Sequence, residues 1–155
     1  KPQNENLIAR PFTRFRTGVF ASPDYLAQHP IAEPEALVDH ECITLRMLGG
    51  SDNIWTFKSK NGKPLNLTVK GGFVCDNTLP AVELAKLGMG IVYAPYYSLA
   101  TELAAGQLVP CLKKERCIDL QAWLIYQRRD ILPLRVQALL DGLSVHIKNL
   151  SHLLL

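Results

Sequence analysis

Residues 73 to 94, FVCDNTLPAVELAKLGMGIVYA, constrain the fold more than any other stretch. Phe73 to Cys75 read as a short strand. Asp76, Asn77 and Thr78 offer a choice of helix caps before a helix expected from about Leu79 to Leu87. Pro80 is tolerated there because its missing N–H falls among the orphan donors of a first turn. Gly88 ends the helix, and Ile91 to Ala94 form a short, fully apolar strand. Strand, helix and strand in so little chain make a βαβ unit, whose two strands run parallel. The fold class that follows is α/β.

The flanking segments supply further elements. Residues 7 to 21, LIARPFTRFRTGVFA, read as an extended segment. Ser22, Pro23 and Asp24 then form a helix start, with a capping hydroxyl, a proline at the first helical position and an acid in the first turn. That helix, DYLAQH, stops before Pro30, and PEALVD at 34 to 39 is expected to form another short one. A strand follows at Cys42 to Leu45, then a loop marked by the paired glycines of RMLGGS. Ile54 to Lys58 alternates as a half-buried strand, Asn61 and Gly62 mark a hairpin turn, and Leu65 to Lys70 returns with Leu65, Leu67 and Val69 on one face. Beyond Pro95 come a helix near Ser98 to Ala105, strands at Leu108 to Leu112 and Ile118 to Tyr126, and a long helix opened by Pro133. Along it Val136, Leu139, Leu140, Leu143, Ile147 and Leu150 recur at three- and four-residue spacing, an apolar face that must be buried against something.

Charge argues against a nucleic-acid reader. Lys1, Arg10, Arg14 and Arg16 against Glu5 account for the whole formal net charge of +3, and no basic face persists along any later helix or strand. The longest apolar stretch, Leu87 to Ala100, is broken by Gly88, Gly90 and Pro95 and falls short of the ~20 residues that span a bilayer. KPQNENLIAR has neither the apolar core of a signal peptide nor an initiator Met, so the chain is expected to begin partway through a longer protein. Cys42, Cys75, Cys111 and Cys117 show no CxxC pair and no His at metal spacing. Buried thiols in a reducing, cytoplasmic compartment are expected, with Cys111 and Cys117 across the KKER turn as the one pair placed to form a disulfide. His29, His40, His146 and His152 form no metal pair, and no Ser, His and Asp set stands out. Neither a metal, a cofactor nor an enzyme activity is expected.

A series of motifs carries a family resemblance. LIARPFTRFRTGVFASPDYLAQHP sets Ala21, Ser22, Pro23, Tyr25, Leu26 and His29 in an ASPxYLxxHG pattern whose last glycine is here Pro30. PEALVDHECI follows, with Leu37, His40, Cys42 and Ile43 as in PxDLxxHxCL. Then come Trp55 and Phe57 in IWTF, Asn77 before a helix, AKLGMGIVYAP like AxxGxGIxxLP, and LAAGQLVPCL like LxxGxLVxVL. In this order and spacing, over residues 7 to 140, they resemble the effector-binding domain of LysR-type transcriptional regulators. The resemblance implies a periplasmic-binding-protein-like (type II) fold, with residues 13 to 94 as the whole second subdomain and 95 to 150 as the return part of the first. It implies that the elements pairing with Val109, Trp123 and the terminal helix are absent. Residues 95 to 155 are then expected to pack in an altered way on the second subdomain, or to self-associate with a second copy. DNA would be reached only through a winged helix-turn-helix preceding this chain, and no membrane partner is implied.

Topology locates the candidate site. In open parallel sheets, ligands sit beyond the carboxyl ends of the strands, where helix N-termini present free N–H groups. Here those ends are Thr44 to Met47, Asp76 to Thr78 and Tyr93 to Tyr96. The resemblance implies a small-molecule effector, often an organic anion, in the cleft between subdomains, against Thr44, Arg46, Met47, Asp76, Asn77, Thr78, Tyr93, Pro95 and Tyr96. Asn77 and Thr78 either donate from the helix start or simply cap it. Arg46 either pairs with a carboxylate or stays a solvated loop residue, and Tyr93 and Tyr96 pack on an apolar body. Cys75, beside a helix start, is either a nucleophile with a depressed pKa or a structural thiol, and the inert thiol is the expected one. Two rival functions remain: a solute-binding protein of the periplasmic type, against which four free cysteines argue, and a hydrolase that uses Cys75.

Overall fold

Hydrophobic alternation and turn chemistry set down thirteen strands and helices among the described residues. In chain order they are β1 (Leu7–Phe15), β2 (Thr17–Ala21), α1 (Pro23–Gln28), β3 (Cys42–Leu45), β4 (Ile54–Lys58), β5 (Pro64–Thr68), β6 (Val74–Cys75), α2 (Thr78–Lys86), β7 (Ile91–Pro95), α3 (Ala100–Ala104), β8 (Val109–Pro110), β9 (Leu120–Gln127) and α4 (Leu134–Asn149). The computed structural model describes residues 6–46, 53–59, 61–112, 117–128 and 133–149. Met47, the rest of the glycine loop, the KKER turn, Leu150, His152 and the SHLLL tail lie outside them. Arg16–Ile118 form the larger of two units, and Lys1–Phe15 with Asp119–Leu155 form the smaller.

The larger unit is built on a five-stranded sheet in the order β6-β3-β7-β2-β8. Both β6 and β7 pair in parallel with β3, which lies between them. The expected βαβ unit is therefore present with a third strand inserted, because β3 precedes it in the chain and α2 packs across β3 on its way to β7. β2 runs antiparallel to β7, and its Ala21 pairs with Val109 of β8. Every residue of β2 is buried, since alternate side chains enter opposite cores. On one face Phe20, Ile43, Val92, Leu99 and Leu108 meet Ala81, Val82 and Ala85 of α2, whose short side chains let the helix lie close. On the other, Val19 and Ala21 join Tyr25, Leu37, Trp55 and Phe57 from α1, the hairpin and the segment between. Each buried Leu or Phe stabilises by roughly 1.5–3 kcal/mol.

Local signals largely hold. Ser22 caps α1 by accepting from the Tyr25 N–H at 3.2 Å, and β4 and β5 form the hairpin around Asn61 and Gly62. Pro34–Asp39 is a 3-10 helix rather than an α-helix, its ends closed by bonds from Ala36 N–H to Glu33 O and from His40 N–H to Leu37 O, both 3.2 Å. A 3-10 turn at Tyr96–Leu99 likewise takes the first part of the helix expected near Ser98 to Ala105.

Val109 and Trp123 both have strand partners within the chain. Val109 pairs with β2, and Trp123 faces Pro11 in the antiparallel pair of β1 and β9. The nine residues of β1, expected only as part of an extended segment, match the eight of β9 along nearly their whole length. The register shifts between Pro11 and Thr13, a break that suits a residue without an N–H to give the ladder. Pairing of β8 with β2 carries the larger unit to Ile118, past the boundary expected at residue 94, while residues 119 to 155 associate with Lys1–Phe15. On α4 the stripe Val136, Leu140, Leu143 and Ile147 is the shielded one, with Leu140 only 8% exposed. Leu139 was expected on it but stands 61% exposed, because one residue of helix rotation carries it off the stripe.

Two features near β3 are open to test. The Tyr25 hydroxyl accepts from the Glu41 N–H at 3.3 Å and lies 3.2 Å from His40 Nδ1, while the His29 ring sits 6.4 Å from that of His40. Burial lowers the His40 pKa from 6.5, the neighbouring His29 adds to the effect, and Asp39 opposes it. The unfolded chain therefore holds this proton more tightly than the folded one. His40's contribution is full above pH 6.5 and is lost as pH falls through that value toward the lowered pKa. Urea midpoints taken from about pH 8 to pH 5 should fall less steeply in His40→Gln than in the parent; equal slopes would exclude His40 as a source. The second feature is Gly71, where a Cβ would lie 1.9 Å from the Cys42 carbonyl oxygen, whereas one on Gly72 meets nothing within 4 Å. Gly71→Ala should cost about 1–3 kcal/mol in urea unfolding and Gly72→Ala no more than about 0.5. Equal effects would mean the chain after β5 does not press on β3.

Candidate functional site

Three parallel strands end on one edge of the five-stranded sheet, β6 at Cys75, β3 at Leu45 and β7 at Pro95. β2 runs the other way, and its pairing of Thr17 with Pro95 brings its start to the same edge. The edge is therefore lined by the beginning of α2, the exit of β3, the exit of β7 and the entry of β2.

The expected residues divide between building this edge and facing solvent. Asn77 caps α2, its side-chain oxygen accepting from the Leu79 N–H at 3.1 Å while its amide donates to Asp76 at 3.0 Å. Asp76 and Asn77 are exposed, and Thr78 is the half-buried first residue of α2. Thr44 is buried and donates its hydroxyl to the Phe73 carbonyl at 3.3 Å, joining β3 to the segment before β6. Arg46 is exposed, and its N–H donates to the Cys75 carbonyl at 2.7 Å. Met47 lies outside the described residues.

The two tyrosines part company. Tyr93 packs its ring 5.6 Å from those of Trp55 and Phe57, on the core face that holds α1 and the hairpin. Thr17 donates to the Ile118 carbonyl at 2.6 Å, and the Tyr93 hydroxyl, 2.9 Å from the Thr17 oxygen, reaches the same carbonyl at 3.2 Å. Tyr96, one residue beyond Pro95, instead meets Phe20 edge-on at 4.8 Å on the α2 face. Tyr93 lies in β7 and Tyr96 just beyond it, and their odd spacing of three sets them on opposite faces, Tyr96 on the side of Val92 and Ala94.

One residue of the edge was missed. Arg16 immediately precedes β2, and its guanidinium carbon lies 5.4 Å from the centre of the Tyr96 ring. The legible signal was a cation at the mouth of a strand whose five residues are all buried.

Thiol chemistry is muted. None of the four cysteines is in a disulfide, Cys111 and Cys117 included. Burial pushes the thiols of Cys42 and Cys111 up to about 12. Burial, then the Asp76 charge, also raises the Cys75 pKa, opposite to the direction a thiolate nucleophile needs. Among the described residues no group of three His, Cys, Asp or Glu side chains is placed to hold a metal ion, and no helix is long and apolar enough to cross a membrane.

Comparison with known proteins gives a consistent set of likenesses. The LysR substrate binding domain family matches residues 1–146. The uncharacterized HTH-type transcriptional regulator YiaU of Escherichia coli K12 is 40% identical over 152 residues, 96% of this chain and 46% of that protein. PtxR, an HTH-type transcriptional regulator of Pseudomonas aeruginosa, is 28% identical over 147 residues, 94% of this chain and 46% of its own length. The regulatory domain of CrgA, a LysR-type transcriptional regulator from Neisseria meningitidis, superposes with a TM-score of 0.74 at 26% identity, over 94% of this chain and 71% of that one. The chain spans about half the length of the curated relatives it matches.

The shared Ile118 carbonyl gives a test of the edge's construction. Tyr93→Phe should cost about 1 kcal/mol in urea unfolding, and in a cycle with Thr17→Val the two losses should not add, because both hydroxyls serve one acceptor. Strict additivity would show that the two side chains act separately.

Proposed function

This chain belongs to the LysR substrate-binding domain family, and from that premise we propose that it is the effector-sensing part of a LysR-type transcriptional regulator, binding a small organic molecule at the sheet edge formed by β6, β3, β7 and the start of β2. Its α/β, periplasmic-binding-protein-like (type II) fold is that of LysR-type regulatory domains. The single observation that carries the site is the convergence of three strand exits and the capped start of α2 on one edge, where free N–H groups and the helix dipole favour an anion. The relatives are transcriptional regulators, so the solute-binding reading draws no support from them.

On this reading the chain works in the cytoplasm, performs no catalysis, and acts by population shift. Effector binding favours one arrangement of a self-associated regulator over another, with a coupling of about 1–3 kcal/mol. Contact with DNA is made by a helix-turn-helix segment outside residues 1 to 155. The raised pKa of Cys75 supports leaving the hydrolase reading aside.

A panel of organic anions, cations and neutral solutes should contain at least one anion that raises the free energy of unfolding, by about 2.7 kcal/mol at a hundredfold excess over Kd. Amide shifts on binding should centre on residues 76 to 78 and 93 to 96. Saturable shifts confined to another face would reject this edge. Sequence-specific, salt-resistant binding of DNA by residues 1 to 155 alone would reject the assignment of DNA contact to another segment.

A further inference from the structure

Among the described residues one buried side-chain polar atom has no hydrogen-bond partner, Nε of Arg16. A guanidinium N–H withheld from water with nothing to receive it costs free energy that a ligand acceptor would return. Its surroundings hold the residue in place. The Tyr96 N–H donates to the Arg16 carbonyl at 2.9 Å, holding the backbone at the mouth of β2 against the exit of β7. The guanidinium carbon lies 5.4 Å from the Tyr96 ring centre, within cation–π range, and that ring is in turn held edge-on to Phe20 at 4.8 Å. Gly18 makes the platform possible, since a Cβ there would fall 2.6 Å from Phe20 Cζ and 2.8 Å from Tyr96 Cε2. Arg16, Gly18 and Phe20 follow the two-residue period of one strand face, so the cation, the gap and the supporting ring lie in a row.

We propose that Arg16 is the anion-recognising residue of this edge and takes the carboxylate group of a small organic acid through Nε–H and an adjacent Nη–H. This inference rests on the effector-binding reading and deepens it. A planar carboxylate matches the guanidinium fork with two parallel bonds, and a ring stacked against the cation restricts it before the ligand arrives. The recognising cation is therefore Arg16, beside β7, rather than the exposed Arg46 beyond β3.

The test uses the full 155-residue chain labelled with nitrogen-15, and follows the Arg16 Nε–H signal, assigned through its own side-chain carbons. Sodium acetate carries the recognised group alone, with sodium sulfate and sodium chloride compared at matched ionic strength. Acetate should move the Arg16 signal saturably and chloride should not. Arg16→Lys, which keeps the charge but loses the fork, should weaken acetate about tenfold or more. If that variant does not fold, the parent titration decides alone. No saturable movement with acetate, or equal movement with chloride, overturns the proposal, and tighter saturation by sulfate overturns the carboxylate assignment. Saturable acetate shifts at the amides of Asn77 to Leu79 that survive in Arg16→Lys would remove Arg16 while leaving the effector site standing.

Discussion

The antiparallel pairing of β2 with β7 is the constraint on which the rest of the larger unit depends. Without it the sheet would be β6, β3 and β7 alone, three short parallel strands. With it, β2 fills both cores at once and provides the far edge on which β8 closes. The same pairing reverses the chain direction at one position, and so sets the beginning of one strand among the ends of three others. The chemistry of the edge follows from that reversal: a capped helix start at one end, and at the other a cation lying on a ring.

Local chemistry was legible wherever one residue type has one physical use. Ser22 before Pro23, Asn77 before α2, and Asn61 with Gly62 each announced a cap or a turn, and the structure carries all three. Non-local facts were less so. Nothing in LIARPFTRF says that it pairs with LQAWLIYQ more than a hundred residues away, nor that Ile43 and Val92 bring β3 between the two strands of an apparent βαβ unit. The site was legible at the level of strand ends, which follow from the apolar runs. Side-chain surroundings were less so: the odd spacing of Tyr93 and Tyr96 already sets them on different faces, but the approach of Arg16 to Tyr96 depends on the pairing of β2 with β7.

Burial decides reactivity as well as packing. Cys42 and Cys111 share a core with Tyr25, Trp55 and Phe57, and their thiols hold their protons far above neutral pH. In such surroundings a cysteine behaves as a small apolar residue with a weak donor, and Cys42 uses that donor toward the Leu37 carbonyl at 3.6 Å. The Tyr93 hydroxyl shows the same logic in a polar group. Set among rings, it is kept because the carbonyls of Ile118 and Thr56 and the Thr17 oxygen meet it there.

The two units differ in how they are cut from the chain. Arg16–Ile118 is one continuous run, whereas the smaller unit joins the first fifteen residues to a segment that begins at Asp119. On a ribosome every residue of the larger unit is made before β9, so its sheet is complete in sequence before β1 and β9 can meet. β1 must then wait for synthesis to deliver β9, the strand it pairs with. The interval before this pair can form is thus set by the distance in sequence between Phe15 and Leu120.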